Sequence, residues 1–134
     1  LLIGCDMAEL DDFTLNLLCN SEVIDVNQDE LGWQASRIYG DDTYATYLKP
    51  LADGTVAVAM FNLSSEPKKI GFIPRSLGVI GSQVIRDLWR QKDIYTCGYR
   101  ERWETEVAPH GCVFVKLTPV QKNFVPEGFD KNIK

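Results

Sequence analysis

Thr55-Val56-Ala57-Val58-Ala59-Met60-Phe61-Asn62-Leu63 is the stretch that decides the fold of this 134-residue chain. Its β-branched and aromatic residues favour an extended strand, and Asp53-Gly54 just before it is a common hairpin turn. The segment 43–49 on the other side of that turn has the residue types of a second strand. The two segments together predict an antiparallel hairpin.

Short strands with turns between them are predicted along the rest of the chain, about ten residues apart, and no helical pattern follows Trp33. This spacing predicts an all-β domain, an antiparallel β-sandwich with Greek-key-like connections, over residues 33–119. Residues 120–134 contain Pro126 and Gly128 and predict a loosely ordered tail. The further predicted strands are 68–73, 84–89, 103–107 and 112–117.

The first 32 residues have a different pattern. The run Leu1-Leu2-Ile3-Gly4 is typical of a strand buried on both faces, as in a parallel sheet. Apolar residues then recur at helical spacing from Leu10 to Leu18, and Asn20 is expected to cap the C-terminus of that helix. A strand followed by a helix is half of a β/α repeat that cannot cover its own apolar faces, so its partners are expected upstream.

Composition excludes several classes of protein. The chain is 45% hydrophobic and 25% charged, which is ordinary for one globular domain. No apolar stretch approaches the roughly 18 residues of a membrane span, so a membrane partner is not expected. The net charge of −5 and the lack of a basic stripe argue against nucleic acid as a partner.

The four cysteines and the single histidine do not have the spacing of a metal site. No two cysteines form a C-x-x-C pair, so we predict no zinc site and no other metal site. One disulfide is conceivable, between Cys97 and Cys112, because both lie in predicted β structure. The alternative is that these cysteines are small buried thiols.

Three blocks of sequence together resemble the α-galactosidases of the melibiase type. They read Leu-Leu-Ile-Gly-Cys-Asp-Met (1–7), Val-Ile-Asp-Val-Asn-Gln-Asp-Glu-Leu-Gly (23–32) and Ala-Pro-His-Gly-Cys-Val-Phe-Val-Lys-Leu (108–117). In that family an antiparallel β-sandwich follows a (β/α)8 barrel that carries the active site. The resemblance therefore implies that residues 1–32 are the last β/α unit of the barrel with a connecting segment, and that 33–119 are the C-terminal sandwich.

The resemblance also implies that this chain has no catalytic residue of its own. The family cleaves terminal α-galactosyl groups with retention, using two aspartates on earlier barrel strands. Retaining chemistry needs two carboxyl groups about 5 Å apart, one of them with a raised pKa. The neighbouring pairs Asp11/Asp12 and Asp41/Asp42 point their side chains apart and suit a helix start and a turn. No cofactor is expected, because carboxyl groups suffice for this reaction.

Four residues carry the site hypotheses that the resemblance suggests. Asp6 follows the predicted barrel strand, so it should lie at the rim of the substrate pocket, either touching the sugar or bracing a loop. Asn27, Gln28 and Asp29 are interpreted as a hydrogen-bonded latch between barrel and sandwich. The partners implied are the catalytic barrel and a galactoside bound by that barrel, and the compartment implied is extracellular, periplasmic or lysosomal. The oligomeric state stays open, with a homo-oligomer as one alternative.

Three other features of the sequence are open to more than one interpretation. His110 lies between Pro109 and Gly111 and is expected to serve a turn rather than act as a base. Asn62-Leu63-Ser64 is a formal glycosylation sequon. The aromatic residues favour a core, with a non-enzymatic carbohydrate-binding module as the alternative function. They are Trp33, Trp89, Trp103, Tyr44, Tyr47, Tyr95 and Tyr99.

Overall fold

The computed structural model describes residues 19–120, which contain eight β-strands and one α-helix. A short 3-10 helix, Pro74–Leu77, precedes the fifth strand. The elements are α1 (Ser21–Asn27), β1 (Ser36–Gly40), β2 (Tyr44–Pro50), β3 (Val56–Asn62), β4 (Lys68–Phe72), β5 (Gln83–Asp87), β6 (Lys92–Cys97), β7 (Trp103–Val107) and β8 (Cys112–Pro119).

The strands form a large sheet of six strands in the order β1-β2-β3-β8-β5-β6 and a small sheet in which β4 pairs with β7. Every neighbouring pair is antiparallel. The chain leaves the large sheet after β3, and β8 returns to lie between β3 and β5. The antiparallel β-sandwich predicted from the sequence is confirmed. The predicted barrel remnant and most of the predicted tail fall in residues 1–18 and 121–134, outside the described residues.

The main core lies between the two sheets. β3 and β8 are the central strands of the large sheet, and their inward side chains pack against β4 and β7. Burial of these large aliphatic and aromatic side chains is the main favourable term that holds the sheets together. The buried residues are Val56, Val58, Met60, Ile70, Phe72, Ile85, Cys97, Val107, Val115 and Leu117.

Two strands were not individually predicted, and both are edge strands. All five residues of β1 and the first five of β6 are exposed, so neither segment carries the alternation that marks a half-buried strand. The predicted strand 84–89 is also displaced, because β5 ends at Asp87. The Asp87 carboxylate accepts hydrogen bonds from the N–H groups of Trp89 and Arg90, which turns the chain there.

Helix α1 was not predicted either. Asn20 caps the N-terminus of this helix, because its side-chain oxygen accepts from the N–H groups of Glu22 and Val23. The helix that Asn20 is predicted to end lies outside the described residues. Val26 is the buried residue of the helix. No helix within residues 19–120 has both the length and the apolar character required to cross a membrane.

Candidate functional site

The outer face of the large sheet, opposite the main core, is strongly apolar. We define it by the outward side chains Ala45 and Tyr47 of β2, Ala57, Ala59 and Phe61 of β3, Leu63, and Phe114 of β8. The alanines leave a depression between the larger side chains, with a volume of about 510 Å³. The rings of Tyr47 and Phe61 pack edge to face, 5.8 Å apart, along one side of it.

Helix α1 covers one end of this outer face. Val26, together with Leu51, Ala57 and Leu88, forms a second buried cluster against which Val23 packs. The ammonium group of Lys49 donates to the carbonyl of Val26 at 2.7 Å, near the C-terminus of the helix. No other helix or strand of residues 19–120 covers the rest of the outer face, and Phe61 is 36% exposed.

Two tryptophans lie beside the outer face. Trp33 is 59% exposed and lines a second groove that shares Val26, Ala35, Lys49 and Phe114 with the first. Trp89 packs its ring on Phe114 at 5.5 Å, and its Nε1 donates to the carbonyl of Cys112. The apolar surface therefore continues past the outer face. Trp103, by contrast, packs on Phe72 at the edge of the main core.

A polar network fastens α1 to the large sheet. The Arg86 guanidinium donates to both carboxylate oxygens of Glu22, at 2.7 and 2.9 Å. This hydrogen-bonded pair lowers the pKa of Glu22, with the positive charge of Arg86 as a further cause. Asn20, at the start of the helix, donates to the carbonyl of Leu88 at 2.8 Å, and Gln91 donates to Asn20. The helix is thus tied to the β5–β6 connection at several points.

The three residues interpreted as a latch lie at the end of α1. Asn27 and Gln28 are exposed, and the Gln28 amide donates to the Asn27 side chain at 2.6 Å. The Asp29 carboxylate accepts from the N–H groups of Ala52, at 2.9 Å, and of Leu31, at 3.1 Å. Asp29 therefore joins the segment after the helix to the β2–β3 turn. A latch to a barrel stays a prediction, and Asp6 lies outside the described residues.

The carboxyl groups of Asp41, Asp53 and Glu101 have environments opposite to that of a catalytic acid. Hydrogen bonds to Thr43 lower the pKa of Asp41, and a hydrogen bond to the Thr55 hydroxyl lowers that of Asp53. A hydrogen bond from the Gly98 N–H lowers the pKa of Glu101 in the same way. A general acid needs the opposite shift, produced by an apolar pocket or a second carboxylate. Residues 19–120 also contain no group of side chains that could hold a metal ion.

His110 occupies the turn between β7 and β8. Its φ angle is 57°, the left-handed region, and the N–H of Gly111 donates to the carbonyl of Ala108 across the turn. This is the structural position that the sequence predicted for it. No nucleophile that it could activate lies among its hydrogen-bond partners in residues 19–120.

The structure decides between the two interpretations of Cys97 and Cys112. Both are free thiols. Cys97 lies opposite Gln83, which lies opposite Pro119 at the far end of β8 from Cys112. Seven residues of strand separate them along the sheet, about 23 Å, which is beyond the reach of a disulfide. Burial raises the pKa of each thiol to about 11.

The asparagine of the sequon, Asn62, is buried and hydrogen-bonded within the domain. Asn62 is 1% exposed, and its Nδ2 donates to the carbonyls of Glu66 and Val107 at 2.7 and 2.9 Å. Its Oδ1 accepts from the N–H and the hydroxyl of Ser64. The folded domain therefore uses this triplet as a turn and has no room for a glycan on Asn62.

Comparison with known proteins agrees with this architecture. Residues 41–117 match the family described as the alpha galactosidase C-terminal beta sandwich domain. The chain belongs to this family. An alpha-galactosidase of Oryza sativa subsp. japonica is 37% identical over 121 residues, which are 89% of this chain and 28% of the rice protein. The chain thus spans about three tenths of the length of the rice protein and of a similar relative from Dictyostelium discoideum.

Solved structures share the fold of the domain. A β-L-arabinopyranosidase from Geobacillus stearothermophilus superposes with a TM-score of 0.80 at 30% identity, over 89% of this chain and 26% of that one. Alpha-galactosidase I from Mortierella vinacea gives a TM-score of 0.79 at 26% identity, over 87% and 31% of the two chains. In both proteins the matched part is a minority of a longer chain.

Sequence reasoning missed the outer face. The signal was present, since every residue from Val56 to Phe61 is apolar. A strand with one solvent-exposed face alternates apolar and polar residues, whereas an unbroken apolar run predicts that both faces are buried. The inner side chains of β3 are covered by the small sheet, and the outer ones are only partly covered by α1.

Proposed function

We propose that this chain is the C-terminal domain of a retaining glycosidase that removes terminal α-galactosyl residues, and that it supports the catalytic barrel without being catalytic itself. The observation that carries the proposal is the apolar outer face, built on a central strand and open over much of its area. Exposed apolar surface of this kind marks an interaction site in soluble proteins. Membership of the C-terminal sandwich family supports a catalytic barrel as the partner.

The way the chain runs supports docking in cis. α1 lies on the outer face and is fastened there by the Glu22–Arg86 pair, so the chain enters the sandwich at that face. A barrel whose last helix precedes α1 would then lie against the same surface. In this arrangement Asn27, Gln28 and Asp29 lie between the domains as the latch, and Asp6 borders the sugar pocket.

Further parts of the proposal rest on resemblance. Galactosides are the substrate class suggested by the rice and Mortierella enzymes, and the Geobacillus enzyme acts on β-L-arabinopyranosides. The compartment proposed is extracellular, periplasmic or lysosomal, and a homo-oligomer is the proposed assembly.

An activity assay tests the proposal. The purified 134-residue chain should not hydrolyse an aryl α-galactoside above background, and the full-length protein that contains it should. Turnover by the chain alone that disappears in an Asp6→Ala variant would contradict the proposal. A full-length protein with no activity on any aryl α-galactoside or β-L-arabinopyranoside would contradict it as well.

A carbohydrate-binding module is the second candidate. The 59% exposure of Trp33 favours it, because exposed aromatic rings stack on sugars. Titration of the chain with galactose and galacto-oligosaccharides, followed by tryptophan fluorescence, distinguishes the two functions. The support function predicts no saturable change into the millimolar range. A binding isotherm abolished by Trp33→Ala without a change in thermal unfolding would establish the binding module instead.

A further inference from the structure

The small sheet does not cover the whole inner face of the large one. Within residues 19–120 it has two strands against six, and the inner side of β1 borders a cleft that β4 also lines. Tyr39 of β1 pairs with Thr46, which is fully buried on the inner face, yet Tyr39 itself is 37% exposed. An inward-facing aromatic ring with this exposure lies in a gap where a further strand of the small sheet would fit.

This gap is a cleft of about 430 Å³. All five residues of β4, with Ile73, form one wall, and Tyr39 and Tyr44 lie across from it. β7 pairs with one side of β4, and no other strand of the described part of the chain pairs with it. On the side that faces the cleft, no backbone N–H or carbonyl of Lys68–Phe72 has a hydrogen-bond partner among residues 19–120. An unpaired strand edge of this kind is a template for an added strand.

The cleft is positively charged in an acidic protein. Its lining includes Lys68, Lys69 and Arg102 and no acidic residue, whereas the chain as a whole carries a net charge of −5. Arg102 is paired with Glu104 at 3.1 Å, so the two lysines supply the uncompensated charge of the lining. The Lys68 ammonium lies over the ring of Tyr44, 5.7 Å from its centroid. Lysines on a free strand edge repel basic strands and are costly to bury under uncharged ones, so they restrict what can be added there.

The pairing of β7 with β4 indicates which kind of sequence would suit the other edge of β4. In the register of the small sheet Lys69 lies opposite Glu106, and Phe72 lies opposite Trp103. The acidic side chains of β7 therefore meet the lysine on the outer surface, and its apolar side chains face the core. A strand on the other edge of β4 would meet the same lysine and would place its inner side chains over Tyr39 and Tyr44.

We propose that the cleft beside β4 binds an extended peptide in which apolar and acidic residues alternate, as a third strand of the small sheet. A second copy of this chain is a poor occupant, because two β4 edges would bring lysines against lysines. Backbone hydrogen bonds to β4 supply affinity, and the acidic residues supply selectivity.

A titration of the ¹⁵N-labelled chain tests the proposal. The probe is the acetylated and amidated peptide Trp-Glu-Thr-Glu-Val, which copies Trp103–Val107. It should cause saturable amide shifts confined to β4, Ile73, Tyr39 and Tyr44, and should protect the cleft-facing amides of β4 from hydrogen exchange. The peptide Trp-Lys-Thr-Lys-Val should cause none. Shifts at another edge, equal binding of both peptides, or the same shifts with inorganic phosphate would overturn the proposal, as would no response at all.

A charge reversal provides the matched control. Lys69→Glu should weaken binding of the acidic peptide by about fivefold or more, because one attraction becomes a repulsion. Lys92→Glu makes the same change in net charge on β6, outside the cleft, and should leave binding unchanged. Both lysines are exposed, so both variants should fold. Equal weakening by the two variants would show a non-specific charge effect and overturn the proposal.

Discussion

Arg86 and Glu22 lie 64 residues apart in the sequence and are joined by two hydrogen bonds, Nε to Oε1 at 2.7 Å and Nη2 to Oε2 at 2.9 Å. The pair fixes α1 to β5, and a further contact from Arg86 to Asp93, at 3.1 Å, extends it to β6. Because α1 lies on the outer face, this pair helps to set how the preceding chain approaches the sandwich.

Replacement of Glu22 by Gln should destabilise the chain by about 0.5–1 kcal/mol at pH 7, as for a two-point ion pair that is about a quarter to a third exposed. The folded-state pKa of Glu22 is lowered, so its stabilisation is fully present above the unfolded pKa of about 4.3. The stabilisation is lost as the pH falls through the folded pKa. Urea unfolding at pH 7 and in acid should therefore show the two proteins converging at low pH.

Glu30→Gln is the control for that measurement. Glu30 is exposed and has no ion pair among residues 19–120, so this variant should match the parent at every pH. A pH-independent difference for Glu22→Gln would mean that the charge of the pair contributes nothing.

Two truncated chains should show that α1 belongs to the folding unit of the sandwich. A chain that starts at Cys19 keeps Asn20, Glu22 and Val26, whereas one that starts at Trp33 exposes Ala57 and Leu88. We expect the shorter chain to be less stable than the longer one by at least about 2 kcal/mol, from the loss of the buried Val26 contacts and of the ion pair. If the two chains unfold at the same urea concentration, α1 contributes nothing to the stability of the sandwich.

The tryptophans should differ in their contribution to stability. Trp103→Ala removes a ring that packs on Phe72 and the main core, and should cost about 3 kcal/mol. Trp33→Ala removes an exposed ring and should cost less than about 0.5 kcal/mol. Chemical denaturation of both variants checks this, and a large loss for Trp33 would mean that it packs more closely than its exposure implies.

The thiols should react selectively. Burial raises the pKa of Cys97 and Cys112 to about 11, so almost no thiolate exists at pH 7.5, while Cys19 is exposed. Brief treatment with N-ethylmaleimide and peptide mass spectrometry should find Cys19 modified and the other two modified only after unfolding. A Cys97–Cys112 disulfide in the mass spectrum of the native protein would contradict the structure.

The sequence predicted the sandwich because its central strands carry strong local signals. β3 follows a hairpin turn and is apolar along its length, and β8 is similar. Edge strands lack such signals, since the residues of β1 and nearly all of those of β6 are exposed, and each strand is held by hydrogen bonds to one neighbouring strand only. α1 is only seven residues long, and its stability comes from tertiary contacts that no local pattern reveals.

The candidate site was harder to predict than the fold. The Asn27-Gln28-Asp29 block is visible as a motif, but the outer face depends on which side of β3 the small sheet packs against and on how much of the other side α1 covers. The charged cleft depends on the register between β4 and β7 and on the gap beside β1. None of these is a property of a short stretch of sequence.

Docking of the outer face is most directly tested by Phe61→Asp made both in the 134-residue chain and in the full-length protein, with denaturant unfolding of each. In the isolated chain the change should cost no more than about 1.5 kcal/mol, because Phe61 is 36% exposed and its main partner is Tyr47. In the full-length protein it should cost at least about 2 kcal/mol more, as for a residue central to an interface. Ile94→Asp, at 38% exposure on β6, should cost the same in both. Equal losses for Phe61→Asp in the two proteins would contradict docking of a barrel on the outer face.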